Sequence, residues 1–290
     1  MTANPPVILT IAGFDPSSGA GITADIKTIA AHDCFGVSCI TALTVQSTQG
    51  VRRVEPVAPS LIAETLQMLS ADFVISAVHI GMLGNKGVVA AVADFLGAAR
   101  LPYIVLDPIL KSSSGAELLD AGGIRLLIER LIPLVEIITP NLDEAGALTG
   151  LAIANLAQMR EAARRLQDLG APNVVVTGGN LDKATDLLSF AASGGIQQEV
   201  FKAERQRSNS THGTGCAFAT ALACHRALGR GLPEAVLLSK AYVSAAIANA
   251  QPMGKGIGPL HHLYRMSQRT GQQRRPTTAP SAAERGYPRE

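Results

Sequence analysis

Strong net charge is missing from this 290-residue chain: 25 Lys and Arg against 23 Asp and Glu leave +2 at pH 7, so nothing in the composition asks for nucleic acid. Six of the arginines and two glutamates lie after Leu263, which leaves the rest slightly acidic. Cysteine is scarce. Cys34, Cys39, Cys216 and Cys224 form no C-x-x-C pair and no His/Cys spacing suited to zinc, and they read as reduced thiols of a cytoplasmic protein. No apolar run reaches 18 residues, so no membrane span is expected. The N-terminal MTANPPVILTIAG lacks a basic segment, and its short apolar run meets Gly and Asp at once, as in a first strand and unlike a signal peptide. No internal repeat is visible.

What is present is a 47% hydrophobic chain, enough for a large core. Residues 1–264 read as a single domain, and 265–290, rich in Arg, Gln, Ser, Thr and Pro, as a disordered tail. Val7–Ala12, Gly36–Val45, Ala77–Ile80, Tyr103–Leu106, Glu136–Thr139 and Asn173–Val176 read as strands. They alternate with helical patterns at 22–31, 59–70, 85–98, 117–130, 141 onward and 155–169. Short links between them predict an α/β fold, a mostly parallel sheet with helices on both faces. The segment through Val54 adds a small β flap, and 187–190 with 197–202 a hairpin.

The stretch N-S-T-H-G-T-G-C-A-F-A, Asn209–Ala219, organises the rest. Gly213, Thr214 and Gly215 precede a helix predicted over 216–228, whose first N–H groups and positive dipole end make a seat for an anion. Charge developing on a transferring phosphoryl group is stabilised by such donors. A helix N-terminus also lowers a thiol's pKa, so Cys216 is a candidate base. The alternative is a glycine turn before a tightly packed helix with a buried cysteine.

Other candidates sit at strand ends, where open α/β sheets bind ligands. Gly13 opens G-F-D-P-S-S-G-A-G. Asp25, in the first turn of the following helix, is either a dipole-stabilising carboxylate or an acceptor for substrate. Gln46 offers a donor and an acceptor to the edge of an amide-like ring. Met82 lies in G-M-L-G. Asn141 and Glu144 make a capping box or hold a metal-bound water shell near phosphates. Thr177-Gly178-Gly179 ends another strand, and Lys255, in G-K-G-I-G-P, faces ATP or merely a turn. Gly19–Ala24 fits a relaxed dinucleotide fingerprint, but the loop is too long and no acid closes the second strand, which disfavours a nicotinamide dehydrogenase.

Together these pieces resemble the hydroxymethylpyrimidine and phosphomethylpyrimidine kinases of thiamine synthesis, in the ribokinase-like superfamily. The resemblance runs over roughly residues 7–263. It rests on A-G-x-D-P-S-x-G-A-G-I-x-A-D from Ala12, I-T-A-L-x-x-Q from Ile40, I-G-M-L from Ile80, T-P-N-x-x-E-A from Thr139, T-H-G-T-G-C from Thr211 and G-K-G-x-G-P-x-H-H from Gly254. It implies a pyrimidine against Gly13, Asp25, Gln46 and Met82, an anion hole at Gly213–Gly215, and Cys216 as base. It implies further that Asn141 and Glu144 carry Mg-ATP, Glu144 through water, with Thr177, Gly179 and Thr211 near the nucleotide. A monovalent cation is left open, and a homodimer is implied. The chain lacks a Walker G-x-x-x-x-G-K-[ST], in keeping with a superfamily that seats phosphates on this other glycine motif. Two departures are Thr177, where close relatives carry Lys, and Ser113-Ser114-Gly115 in place of K-S-G, with Lys111 two residues early. The rivals are a pyridoxal kinase and a ligand sensor without catalysis.

Overall fold

A computed structural model describes residues 4–112, 115–179, 184–204, 206 and 208–269. Its nine-stranded sheet follows the order β3-β2-β1-β4-β5-β6-β7-β8-β9, where β1 is Val7–Phe14, β2 Phe35–Ser47, β3 Gly50–Pro56, β4 Ile75–Ile80, β5 Ile104–Leu106, β6 Ile137–Ile138, β7 Asn173–Gly178, β8 Ala184–Ala192 and β9 Gly195–Ala203. The six strands from β2 to β7 run parallel, and both edges are antiparallel hairpins.

Continuous apolar strands are buried on both faces because their side chains alternate. Leu9, Val78, Leu106, Ile138 and Val174 point into one core with the helices α2 (Pro59–Asp72), α3 (Lys86–Ala99), α5 (Leu142–Thr149) and α6 (Leu156–Asp168). Their sequence neighbours Ile8, Ala77, Val105, Ile137 and Val175 point into the other, with α1 (Gly21–Ala31), α7 (Thr214–Ala227) and α8 (Leu232–Ala248). The sheet, its two helical layers and the flap made by β2 and β3 agree with the expectation from sequence.

One element differs. The helix expected over 117–130 begins only at Ala121, as α4 (Ala121–Leu126), and runs into a wider π-type turn, Leu127–Leu131. Its start is displaced because Glu117 pairs back on Lys111 and Leu119 on Gly84, leaving Asp120 to cap the helix through Gly123 N. At the other end of the chain α9 (Tyr264–Arg269) occupies the first residues of the expected tail, and 270–290 lie outside the described residues.

Candidate active site

The carboxyl ends of the parallel strands open into one cleft of about 1890 Å³. Its floor is built by two loops about 200 residues apart in sequence. The first follows β1 and folds around Asp15, whose Oδ1 accepts from Ser17 N and Oγ, each at 2.7 Å, and whose Oδ2 accepts from Gly19 N at 3.1 Å and Ala20 N at 2.9 Å. The second, ending in Gly213, brings His212 Nε2 to 2.9 Å from Asp15 Oδ2. Burial would raise the Asp15 pKa, but hydrogen bonds from His212, Ser17 and Gln46 outweigh it and hold the carboxyl well below the usual range.

Gly213 stands at the mouth of α7 with φ of 80°, and a Cβ there would lie 2.0 Å from the Gly19 carbonyl oxygen. Only glycine lets the two loops meet. No side chain caps α7, so its first-turn N–H groups face the cleft with Thr214, Gly215 and Cys216 lining it. This is the geometry on which the anion-seat expectation rests.

The Cys216 thiol is not activated in the expected way. It is buried, and burial first, then the nearby Asp107 and Asp25 carboxylates, push its pKa well above the ordinary thiol value against a helping hydrogen bond from the Gly21 backbone. With burial and the neighbouring carboxylates raising it, the resting group is a neutral thiol rather than a thiolate base.

Asp107, passed over in the sequence as the residue after a strand, is the acid at the centre of the site. It is 4% exposed and lines the cleft with Cys216. Burial pushes it up to about 6, with Asp25 adding and His79 and Cys216 opposing. Glu144 is pushed up to about 8 by burial and by Asp107. Its Oε2 accepts from Asn141 N at 2.9 Å while Asn141 Oδ1 accepts from Glu144 N at 2.9 Å, so the capping box is real and also delivers a carboxylate to the cleft.

At one end of the cleft Gly13, Gln46 and Met82 come together, and a Cβ on Gly13 would lie 2.9 Å from Met82 Sδ. At the other lie Asn141, Thr177, Gly179 and Thr211. There Asp186 accepts from Gly178 N at 3.1 Å and pairs with Lys240 Nζ at 2.6 Å. Lys111 lines the cleft despite its early position, whereas Ser113 and Ser114 fall outside the described residues.

Two predicted residues are elsewhere. Asp25 is fully buried beneath the floor, its Oδ2 accepting from Thr10 Oγ1 at 2.7 Å and its Oδ1 from Thr220 Oγ1 at 2.8 Å, with His79 Nδ1 at 3.3 Å. Burial opposes the charge on His79, yet Asp25 and Asp107 raise its pKa; the Asp25 side chain belongs to this buried network and is not among the residues that line the cleft. Lys255 is not among the residues lining the cleft and sits beside the flap, lining an adjoining pocket of about 300 Å³ with Gln46, Ser112 and His212.

The sequence profile described as Phosphomethylpyrimidine kinase matches residues 15–261. The "Hydroxymethylpyrimidine/phosphomethylpyrimidine kinase" of Haemophilus influenzae is 39% identical over 264 residues, covering 90% of this chain and 97% of that protein. The "Thiamine biosynthesis bifunctional protein ThiED" of Geobacter sulfurreducens is 43% identical over 256 residues, and the match covers 88% of this chain and 52% of that longer protein. Among solved structures, pyridoxal kinase of Bacillus subtilis in complex with ADP superposes with a TM-score of 0.82 at 31% identity, over 91% of this chain and 100% of that one. The fold is ribokinase-like. The chain, with a profile match over residues 15–261 and a relative 39% identical over 90% of its length, belongs to the phosphomethylpyrimidine kinase family.

Proposed function

We propose that this protein transfers the γ-phosphoryl group of ATP to the hydroxymethyl oxygen of 4-amino-5-hydroxymethyl-2-methylpyrimidine, and then a second one to the resulting monophosphate, in thiamine biosynthesis. The observation that carries the reading is the single cleft in which a ring slot (Gly13, Gln46, Met82), an uncapped helix N-terminus (Gly213–Cys216) and a buried acid pair (Asp107, Glu144) converge. In each transfer an acceptor oxygen attacks the γ-phosphorus, the bond to the β–γ bridging oxygen breaks, and ADP departs with that electron pair. The α7 N–H groups meet the charge that builds on the transferring group.

In the first transfer the hydroxyl proton must leave. A neutral Cys216 thiol takes it only as its own proton passes to the nearby Asp107 carboxylate. The phosphate acceptor of the second transfer needs no base. Asp107 and Glu144, two buried carboxylates with raised pKa values, fit a divalent cation such as Mg2+. When bound, the cation neutralises the phosphate oxygens. Among the described residues no group of three or more His, Cys, Asp or Glu could hold a metal by itself, in keeping with a largely hydrated ion. The reading extends to a cytoplasmic homodimer: four free cysteines suit a reducing compartment, and Leu43 and Val45, about half exposed on the flap strand β2, offer an apolar contact surface.

Pyridoxal is the second reading, favoured by the likeness to the Bacillus subtilis enzyme. Mass spectrometry of products from Mg-ATP with hydroxymethylpyrimidine, its monophosphate and pyridoxal in parallel tests both. Pyrimidine diphosphate is the expected product, and pyridoxal phosphate as the main product refutes the first reading. Cys216→Ala is expected to lower the first transfer more than the second; equal losses would remove the thiol from the proton's path.

A further inference from the structure

The pocket beside the flap is not accounted for by ring, nucleotide or metal. Its position is fixed by a clasp. Ile257 N donates to Thr48 O at 2.9 Å, and Lys255 N and Gly256 N both donate to Thr48 Oγ1 at 3.2 Å, so the loop before Pro259 lies flat on the tip of the flap. A Cβ on Gly256 would stand 2.0 Å from Thr48 O, which is why the approach needs glycine there. Lys255 thereby lines a pocket whose other walls include Gln46, at the ring slot, and His212, next to the anion seat. No carboxylate among the described residues pairs with the Lys255 ammonium within 4.0 Å, while His212 is held by Asp15.

The two transfers differ in what this region must bear. The first acceptor is neutral, whereas a phosphate monoester brings about −1.5 to −2 charges at neutral pH and must approach the ATP phosphates. That approach requires cations that the first transfer does not use. We propose that Lys255 and His212 form the subsite for the acceptor's own phosphate in the second transfer, so that Lys255 serves the acceptor and not the nucleotide. This rests on the double phosphorylation proposed above.

The test is steady-state kinetics of the wild type, Lys255→Met and Lys255→Arg with Mg-ATP and either hydroxymethylpyrimidine or its monophosphate. Lys255 is exposed, so the variants are expected to melt with the wild type. Lys255→Met is expected to raise KM for the monophosphate about tenfold, the size of one charge-assisted hydrogen bond, with KM for ATP and for the neutral acceptor within about twofold of wild type. Lys255→Arg is expected to restore most of the loss, which a purely structural role of the loop would not require. A raised KM for ATP, an equal rise for both acceptors, or no change overturns the subsite while leaving the double phosphorylation standing. A wild type that forms no diphosphate overturns both.

Discussion

Gly213→Ala isolates what the meeting of the two glycine loops contributes to catalysis. The substitution forces a side chain into a left-handed backbone, at about 1–2 kcal/mol, and places its Cβ 2.0 Å from the Gly19 carbonyl, so one loop must move. Gly229 has the same φ of 80°, closes the far end of α7 and has nothing within 4 Å of a built Cβ. Gly229→Ala therefore carries the backbone penalty alone. Both variants are expected to lose a few degrees of melting temperature. Only Gly213→Ala displaces the first-turn N–H groups from the phosphoryl group, and loss of one such donor is worth about 10²- to 10³-fold in kcat. ADP release under saturating Mg-ATP and pyrimidine gives the comparison. Equal kcat values for the two variants would refute the claim that loop contact aims the helix end.

Glu144, raised from 4.5 to about 8, makes a pH prediction. Between those values the native chain keeps a proton that the unfolded chain has lost, so stability falls as pH rises through the window. On the proposed reading the ionised pair takes a divalent cation, so added Mg2+ should raise the melting temperature more at alkaline than at mildly acidic pH, and Glu144→Gln should flatten the difference. Calorimetry without that difference would place the metal elsewhere. Asp25→Asn should lower stability by about 1–3 kcal/mol in urea unfolding, because an amide with a single acceptor oxygen cannot serve two threonine hydroxyls and the His79 ring at once, and should leave acceptor KM within about twofold. A raised acceptor KM at unchanged stability would return Asp25 to the substrate.

The helical and strand periods, the strand-end glycines and the Asn141 cap were all legible because each is a local property of the chain. Asp107 was not, since an acid after a three-residue strand looks ordinary until α7 is laid against it. Asp25 misled for the matching reason: its helix position is visible in sequence, but Thr10, His79 and Thr220, which close it off, come from three distant elements. The Cys216 pKa has the same character. The helix dipole is local and predicted lowering, whereas burial and the facing carboxylates depend on tertiary structure. Lys255 followed its loop onto the flap, a placement set by a contact 207 residues away in sequence.

Asp15 with His212 and Asp25 with Thr220 are joined across 197 and 195 residues. During synthesis the first third of the chain therefore emerges with two carboxylates that each lack one partner not yet made. Those groups remain hydrated until the ribosome has delivered α7, and contacts of such sequence separation form slowly. A truncated or stalled product ending before residue 212 has neither the seat nor the clasp, so the capacity to consume ATP arises only with a nearly complete chain.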